Sequence, residues 1–311
     1  MHEVGRGQVH DLAGGLLDTV SGDRLVALGG GRVVDVAKAL AAAARAGVAP
    51  GNVAPGGEVR AMAVPTTLSG AELTAGHRHA TGVDDATPRV RAAVVVFDAA
   101  LAASQPVNEL AASSANALGH AVEGPCTVRA NPVATLAAHE AARLIAAGWS
   151  GDAPDREALA LGALLGGYVI DSTGLGLHHV LAQTLVRVLG AGHGQANAVV
   201  LPHTTAALAR RAPAAIAALD AAVATGESGP PAHGGAASAR DAASSPAVAA
   251  NLVALARRLG ALAGAPGLSA LGLDTARLGD AADAAAARPQ LANTPPAADR
   301  DEIAALYDAA M

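Results

Sequence analysis

Aromatic side chains are nearly absent from this sequence, which has one Trp, one Phe and two Tyr in 311 residues. A core without large rings must be Ala, Leu and Val packed closely, most easily as helices. The single cysteine, Cys126, excludes an internal disulfide and a cysteine-rich metal site. Positive charge is outnumbered, with 21 Lys and Arg against 27 Asp and Glu. A formal net charge of −6 argues against nucleic acid as the main partner. No uncharged apolar run has the length of a membrane span, and the opening "MHEVGRGQVHDL" has no apolar core of signal-peptide type. The expectation is a soluble cytoplasmic protein with neither a nucleic-acid nor a membrane partner.

What is present points to a well-buried chain, 51% hydrophobic and only 15% charged, which is not a disordered composition. "RLVAL" (24–28) is a short apolar run followed by three glycines and then by "RVVDVAKALAAAARA", whose spacing predicts a helix. "VRAMAVPTT" (59–67) and "RVRAAVVVFD" (89–98) are further strand-like stretches. Strands alternating with helical patterns predict a parallel α/β sheet over residues 1–105. Beyond residue 106 the β-branched runs stop and apolar residues recur at helical spacing, so residues 106–311 read as an all-helical domain. One stretch breaks that pattern. "TGESGPPAHGGAASARDAASSPA" (225–247) has no apolar face and reads as a flexible insertion.

Chemistry is concentrated in a few places. Gly29, Gly30 and Gly31 stand between a strand and a helix, where backbone N–H groups approach a phosphate and the helix N-terminus adds partial positive charge. "PTTLSG" (65–70) is a second strand-end turn, with hydroxyls on Thr66, Thr67 and Ser69. Ligands of open α/β sheets bind beyond the carboxyl ends of the strands, so the two turns predict a dinucleotide site. In "NALGHAVEG", Asn116 and His120 are four apart and share one helix face. "LGLHHVLAQTLVRVLGAGHGQANAVVLPH" (175–203) then carries His178, His179, His193 and His203. Asn116, His120, His193 and one of the adjacent pair would supply nitrogen or oxygen ligands from three segments to one divalent ion. Spacing alone leaves the choice between His178 and His179 open.

Together these motifs resemble the iron-containing alcohol dehydrogenase superfamily, and within it the maleylacetate reductase branch. "GGGRVVDVAK" is similar to the family's cofactor turn, which adds Asp35 and Lys38 to the cofactor-binding set. "PTTLSGAELT" resembles the shorter, reductase form of the Pro-Thr-Thr turn. "NALGHAVEG" resembles the helix with the first two metal ligands, and "GLGLHHVLAQ…GHGQANAVVLPH" the segment with the other two. The family's fourteen-residue separation selects His179 and His193, leaving His178 and His203 structural. The tail "NTPPAADRDEIAALYDAA" resembles the family's last helix.

The resemblance implies an incomplete Rossmann-like dinucleotide-binding domain followed by an all-α domain, with the active site in the cleft between them. NAD or NADP would be the cofactor, Fe or Zn a weakly held addition, and a homodimer the assembly. His120, His179 and His193 would polarise a carbonyl or hold substrate carboxylates.

Several residues depart from the family pattern. Asn116 replaces the metal-binding Asp, as it tends to in the reductases, so the site lacks a negative charge. Gln183 stands where the family has a further His, and Arg32 replaces a Ser and is expected to face solvent. "GHRH" (76–79) takes the place of an aromatic residue, making His77 a candidate proton donor. The sequence also starts after the family's first strands and reads as N-terminally truncated. The leading expectation is an NAD(P)H-dependent oxidoreductase reducing a small carbonyl or enone acid. The alternatives are a metal-dependent alcohol dehydrogenase acting on a short alcohol or aldehyde, and a degenerate homologue that binds without redox chemistry. NADH binding separates the last from the other two, and metal content separates those two from each other.

Overall fold

A computed structural model describes residues 3–5, 7–18, 24–48, 59–228 and 249–311 of the chain. They form two compact units, Met1–Gln105 and Pro106–Met311.

In the first unit β1 (Arg24–Gly29), β2 (Arg60–Pro65) and β3 (Val94–Val95) make a parallel sheet in the order β1-β2-β3. Arg24 pairs with Arg60 and Gly29 with Pro65. The strands therefore end level, and the two turns that follow them leave the same end of the sheet. Helix α2 (Gly31–Arg45) buries Val34, Ala37, Ala41 and Ala42 against Ala27, Ala61 and Ala63. Its opposite side, through Val36, Ala39 and Leu40, packs on Ala13 of α1 (Val9–Leu16). Small residues let these backbones approach closely, which is how the unit forms a core without aromatics.

The third strand is much shorter than the sequence run at 89–98. Val90 donates its backbone N–H to His77 Nε2 (3.1 Å) and Arg89 donates from Nε to the His77 carbonyl (2.9 Å). Residues 89 and 90 are thus tied to the 76–79 segment, and ladder bonds to β2 begin only at Ala93.

The second unit is helical: α3 (Val107–Glu123), α4 (Pro132–Gly148), α5 (Arg156–Thr173), α6 (Leu177–Leu189), α7 (His193–Arg211), α8 (Pro213–Ser228), α9 (Ala250–Leu262), α10 (Leu278–Ala286) and α11 (Arg300–Ala309). Local sequence sets several ends. Asn131 caps α4 by accepting from Ala134 N, with Pro132 at the first helical position. Asp155 and Asp299 cap α5 and α11 in the same way. Gly190, at φ 73°, stops α6 in the left-handed conformation. Two of the rare aromatics are buried with their polar tips satisfied: Trp149 donates to Ser114 Oγ (3.1 Å) and Tyr307 to the Leu181 carbonyl (3.0 Å).

The expected insertion at 225–247 needs correction at its start. Residues 225–228 complete α8, and Gly226 is buried, with its Cα against the Arg143 carbonyl of α4 so closely that a Cβ would collide. The expectation of an insertion rested on a stretch dominated by Gly, Ser, Pro and Ala with no apolar face, whereas here the glycine permits a close helix crossing. Residues 229–247 lie outside the described residues.

Candidate functional site

In the first unit the two strand-end turns meet. Gly29 has φ 152°, a conformation few residues with a Cβ adopt. A Cβ on Gly30 would stand 3.1 Å from Thr67 Cγ2, and one on Gly31 would stand 2.8 Å from Ser69 Oγ. Thr66 N donates to the Gly29 carbonyl (3.0 Å). Helix α2 begins at this point with no side-chain cap, so its first N–H groups are available to a ligand. Thr66, Thr67 and Ser69 are half-buried around it and Arg32 is exposed.

Lys38 has a different task from the expected one. It is fully buried, and its ammonium donates to the carbonyls of Ala71 (2.7 Å), Thr74 (3.1 Å) and Gly76 (2.9 Å) while pairing with Asp35 (2.8 Å). It staples the 71–76 loop and has no donor to spare for a cofactor. Glu72 is buried nearby. Burial pushes its carboxyl up, and the Lys38 charge opposes that shift.

His77 is likewise not a proton donor. Its Nε2 accepts from Val90 N, and its Nδ1 lies 3.1 Å from the Arg78 carbonyl. A ring that accepts at one nitrogen and donates at the other is neutral and fully used. Burial pushes its pKa down to about 4.

The second unit assembles the histidines. His120 is buried on α3, one turn after buried Asn116. His178 and His179 are buried in the first turn of α6, and His193 opens α7 at its exposed N-terminus. The rings of His120 and His179 stack with centroids 4.7 Å apart and planes 20° apart, while His178 meets His179 edge-on at 4.7 Å. Gly119 leaves room for His178, since a Cβ there would overlap the ring. His178 Nδ1 bonds to Thr204 Oγ1 (2.9 Å), which holds it as a packing residue. Gln183 accepts from Arg288 (3.0 Å), and His203 is half-buried on α7.

One residue of this cluster escaped the sequence reading. Glu123, the last residue of α3, has no solvent exposure. Its Oε2 lies 2.8 Å from His179 Nδ1, and its Oε1 accepts from the backbone N–H of His178 (2.6 Å) and His179 (3.4 Å). It stands three residues after His120 and so on the same helix face. A carboxylate one turn beyond His120 was the available signal. Thr294 and Asn293 brace the same corner, Thr294 Oγ1 accepting from Leu177 N (3.2 Å) and Asn293 donating to the Leu175 carbonyl (2.6 Å).

Burial sets the charge states. It pushes His178 and His179 each down to about 3 and His120 well below its usual value, with neighbouring imidazoles adding to the shift. All three rings are neutral at neutral pH. Burial pushes Glu123 up, opposed by the nearby His178 imidazole and by the N–H groups of Gly176, His178 and His179. Each ring has one nitrogen, His120 Nδ1, His178 Nε2 and His179 Nε2, that is buried with no hydrogen-bond partner among the described residues.

The donor set does not fit a tightly held metal. Among the described residues no three His, Cys, Asp or Glu side chains are grouped as a metal ion would need. Asn116 contributes no charge, and the nearest carboxylate, Glu123, stands behind the His179 ring at Nδ1.

Residues 110–311 match the family described as Fe-containing alcohol dehydrogenase, C-terminal. The chain belongs to the iron-containing alcohol dehydrogenase family. Maleylacetate reductase 1 of Rhodococcus opacus is 36% identical over 205 residues, 63% of this chain and 54% of that protein. Maleylacetate reductase 2 of Cupriavidus pinatubonensis is 34% identical over 232 residues, 71% of this chain and 59% of that one. The chain thus spans less than two thirds of the length of either relative. Among solved structures, maleylacetate reductase from Agrobacterium tumefaciens aligns with a TM-score of 0.70 at 29% identity, over 93% of this chain and 74% of that one. The alcohol dehydrogenase of Oenococcus oeni shares the fold, with a TM-score of 0.77 at 21% identity over 98% and 81% of the two chains.

Proposed function

We propose that the chain is an NAD(P)H-dependent reductase of a small carbonyl or enone acid, of the type its maleylacetate reductase relatives are named for. The observation that carries this reading is the stacked His120–His179 pair, in which His120 Nδ1 and His179 Nε2 are buried with no partner among the described residues. Buried polar atoms are nearly always satisfied, so a ligand that bonds to these nitrogens explains them. The uncapped glycine turn at Gly29–Gly31, lined by Thr66, Thr67 and Ser69, fits the diphosphate of a dinucleotide. When bound, that cofactor supplies the hydride.

The chain's own residues then have two tasks. Hydride addition to a double bond conjugated with a ketone leaves charge on the ketone oxygen and a carbon that needs a proton. No described residue bonds His120 Nδ1, so this ring is free to donate to the oxygen. His179 Nε2 accepts a hydrogen bond from the enol hydroxyl or from the water that resupplies the proton. One hydride and one proton are added in total. No step is assigned to a metal, since the donor set does not fit a tightly held one. A homodimer and a cytoplasmic location belong to the same proposal.

Titrating the purified chain with NADH and following nicotinamide fluorescence, then NADH oxidation on adding maleylacetate, tests the reading. Saturable binding with substrate-dependent oxidation is expected. Binding without oxidation of NADH by any enone acid or small carbonyl would leave only a dinucleotide-binding protein.

A further inference from the structure

We propose that Glu123 is a positioning residue that holds His179 as the Nδ1–H tautomer, so that Nε2 meets the ligand as a bare lone pair. The proposal rests on the reductase reading for the identity of the ligand, but not for its geometry.

The two oxygens of Glu123 are divided between different partners. Oε1 faces the backbone N–H groups of His178 and His179 at the start of α6. Those groups only donate, so Oε1 accepts and acts as an N-terminal cap supplied from another helix. Oε2 has a different neighbour, the His179 ring at Nδ1, 2.8 Å away. A carboxylate stabilised at a helix N-terminus is an acceptor at both oxygens, so Nδ1 carries the ring proton. The plane of the ring is fixed independently, by the His120 face at 4.7 Å and the His178 edge at 4.7 Å. What Glu123 decides is therefore which nitrogen is bare. A cap alone needs only Oε1, and the bond from Oε2 has no role in capping.

This assignment changes the expected substrate contacts. With its proton committed to Glu123, His179 has no donor for a substrate carboxylate. Nε2 suits a hydroxyl, an enol or a water, and a substrate carboxylate must find its donors elsewhere.

Glu123→Gln inverts the tautomer at almost constant volume. The amide has one acceptor oxygen, and the two N–H groups of α6 claim it. The amide NH2 then faces Nδ1, which must accept, and the ring proton moves to Nε2. The experiment is 15N spectroscopy of the histidine rings, with His179 assigned by its loss in His179→Ala, together with steady-state kinetics.

Expected are a protonated Nδ1 in the unmodified protein, inversion in Glu123→Gln, and a kcat about 10- to 100-fold lower with KM for NADH unchanged. Glu123→Asp keeps the Nδ1–H tautomer and recovers most of the lost turnover. A protonated Nε2 in the unmodified protein, or an unchanged tautomer in Glu123→Gln, overturns the proposal. Inversion with no change in kcat overturns the positioning role. If Glu123→Gln fails to fold, the unmodified protein and Glu123→Asp still decide the tautomer. Inversion in a chain that reduces nothing would support the placement by Glu123 and refute the reductase reading instead.

Discussion

On the proposed reading the chain would offer a ligand its backbone and almost no side chain at Gly29–Gly31, whereas at His120 and His179 it would offer rings and keep its backbone inside helices. The first site is made by leaving atoms out. A Cβ on Gly30 or Gly31 would press on Thr67 or Ser69, so the N–H groups of α2 stay open only while those positions have none. The second site is made by filling space. Four polar side chains, His120, Glu123, His178 and His179, are buried together and hold one another by stacking and hydrogen bonds. A backbone site tolerates no enlargement, and a side-chain site tolerates no change of charge. Each should therefore fail under a different perturbation.

The largest effect is expected at the glycine turn. Gly30→Val places branched carbons against Thr67 and over the first N–H groups of α2. NADH affinity should fall about 10- to 100-fold for a steric cost of 1–3 kcal/mol, read by fluorescence titration, with the thermal transition of the helical unit unmoved. Unchanged affinity would remove the turn from the cofactor site and leave the comparison with one member.

Acid is the perturbation for the histidine cluster. His178 and His179 titrate near 3 in the folded chain and near 6.5 when unfolded. Their folded values are depressed, so the unfolded chain binds more protons between those limits. Stability is complete above about pH 6.5 and is lost as pH falls, by about 1.4 kcal/mol per pH unit for each ring well below that value. In the N-terminal unit burial lowers His77 in the same way, to about 4. Urea unfolding at pH 7.5 and 5.5 should show the larger loss in the helical unit. Equal losses, or none, would mean that the rings are not buried neutral.

The smallest effect concerns metal. Three neutral imidazoles and an amide attract a divalent ion weakly, and Asn116→Asp adds the missing charge. Elemental analysis after chelator treatment should find little metal in the unmodified protein and more in the variant. A tightly held stoichiometric ion in the unmodified protein would show that the side-chain site is a metal site and that the donors rearrange to hold it.

Much of this was legible along the chain because its causes are local. The run "RLVAL" followed by glycines sets a strand, a turn and a helix through backbone preference alone. The i, i+4 spacing of Asn116 and His120 puts both on one face of α3 whatever packs against it. Gly190 and the Gly192–His193 step likewise set the end of α6 and the start of α7. Composition decided that the core would be Ala-, Leu- and Val-rich and closely packed, since almost no aromatic residue was available.

What only the tertiary structure decided is where protons and charges find partners. Lys38 and His77 have the residue chemistry of a ligand site, yet carbonyls 33 to 38 residues away take the lysine's protons and the Val90 N–H takes the histidine's lone pair. Gly226 looked like a loop residue until α4 lay against it. Glu123 reaches His179 across 56 positions, a separation that no periodic pattern encodes. Helices follow from neighbours a few residues apart, but hydrogen-bond partners in a buried cluster follow from which helices cross, and a sequence read in order does not contain those crossings.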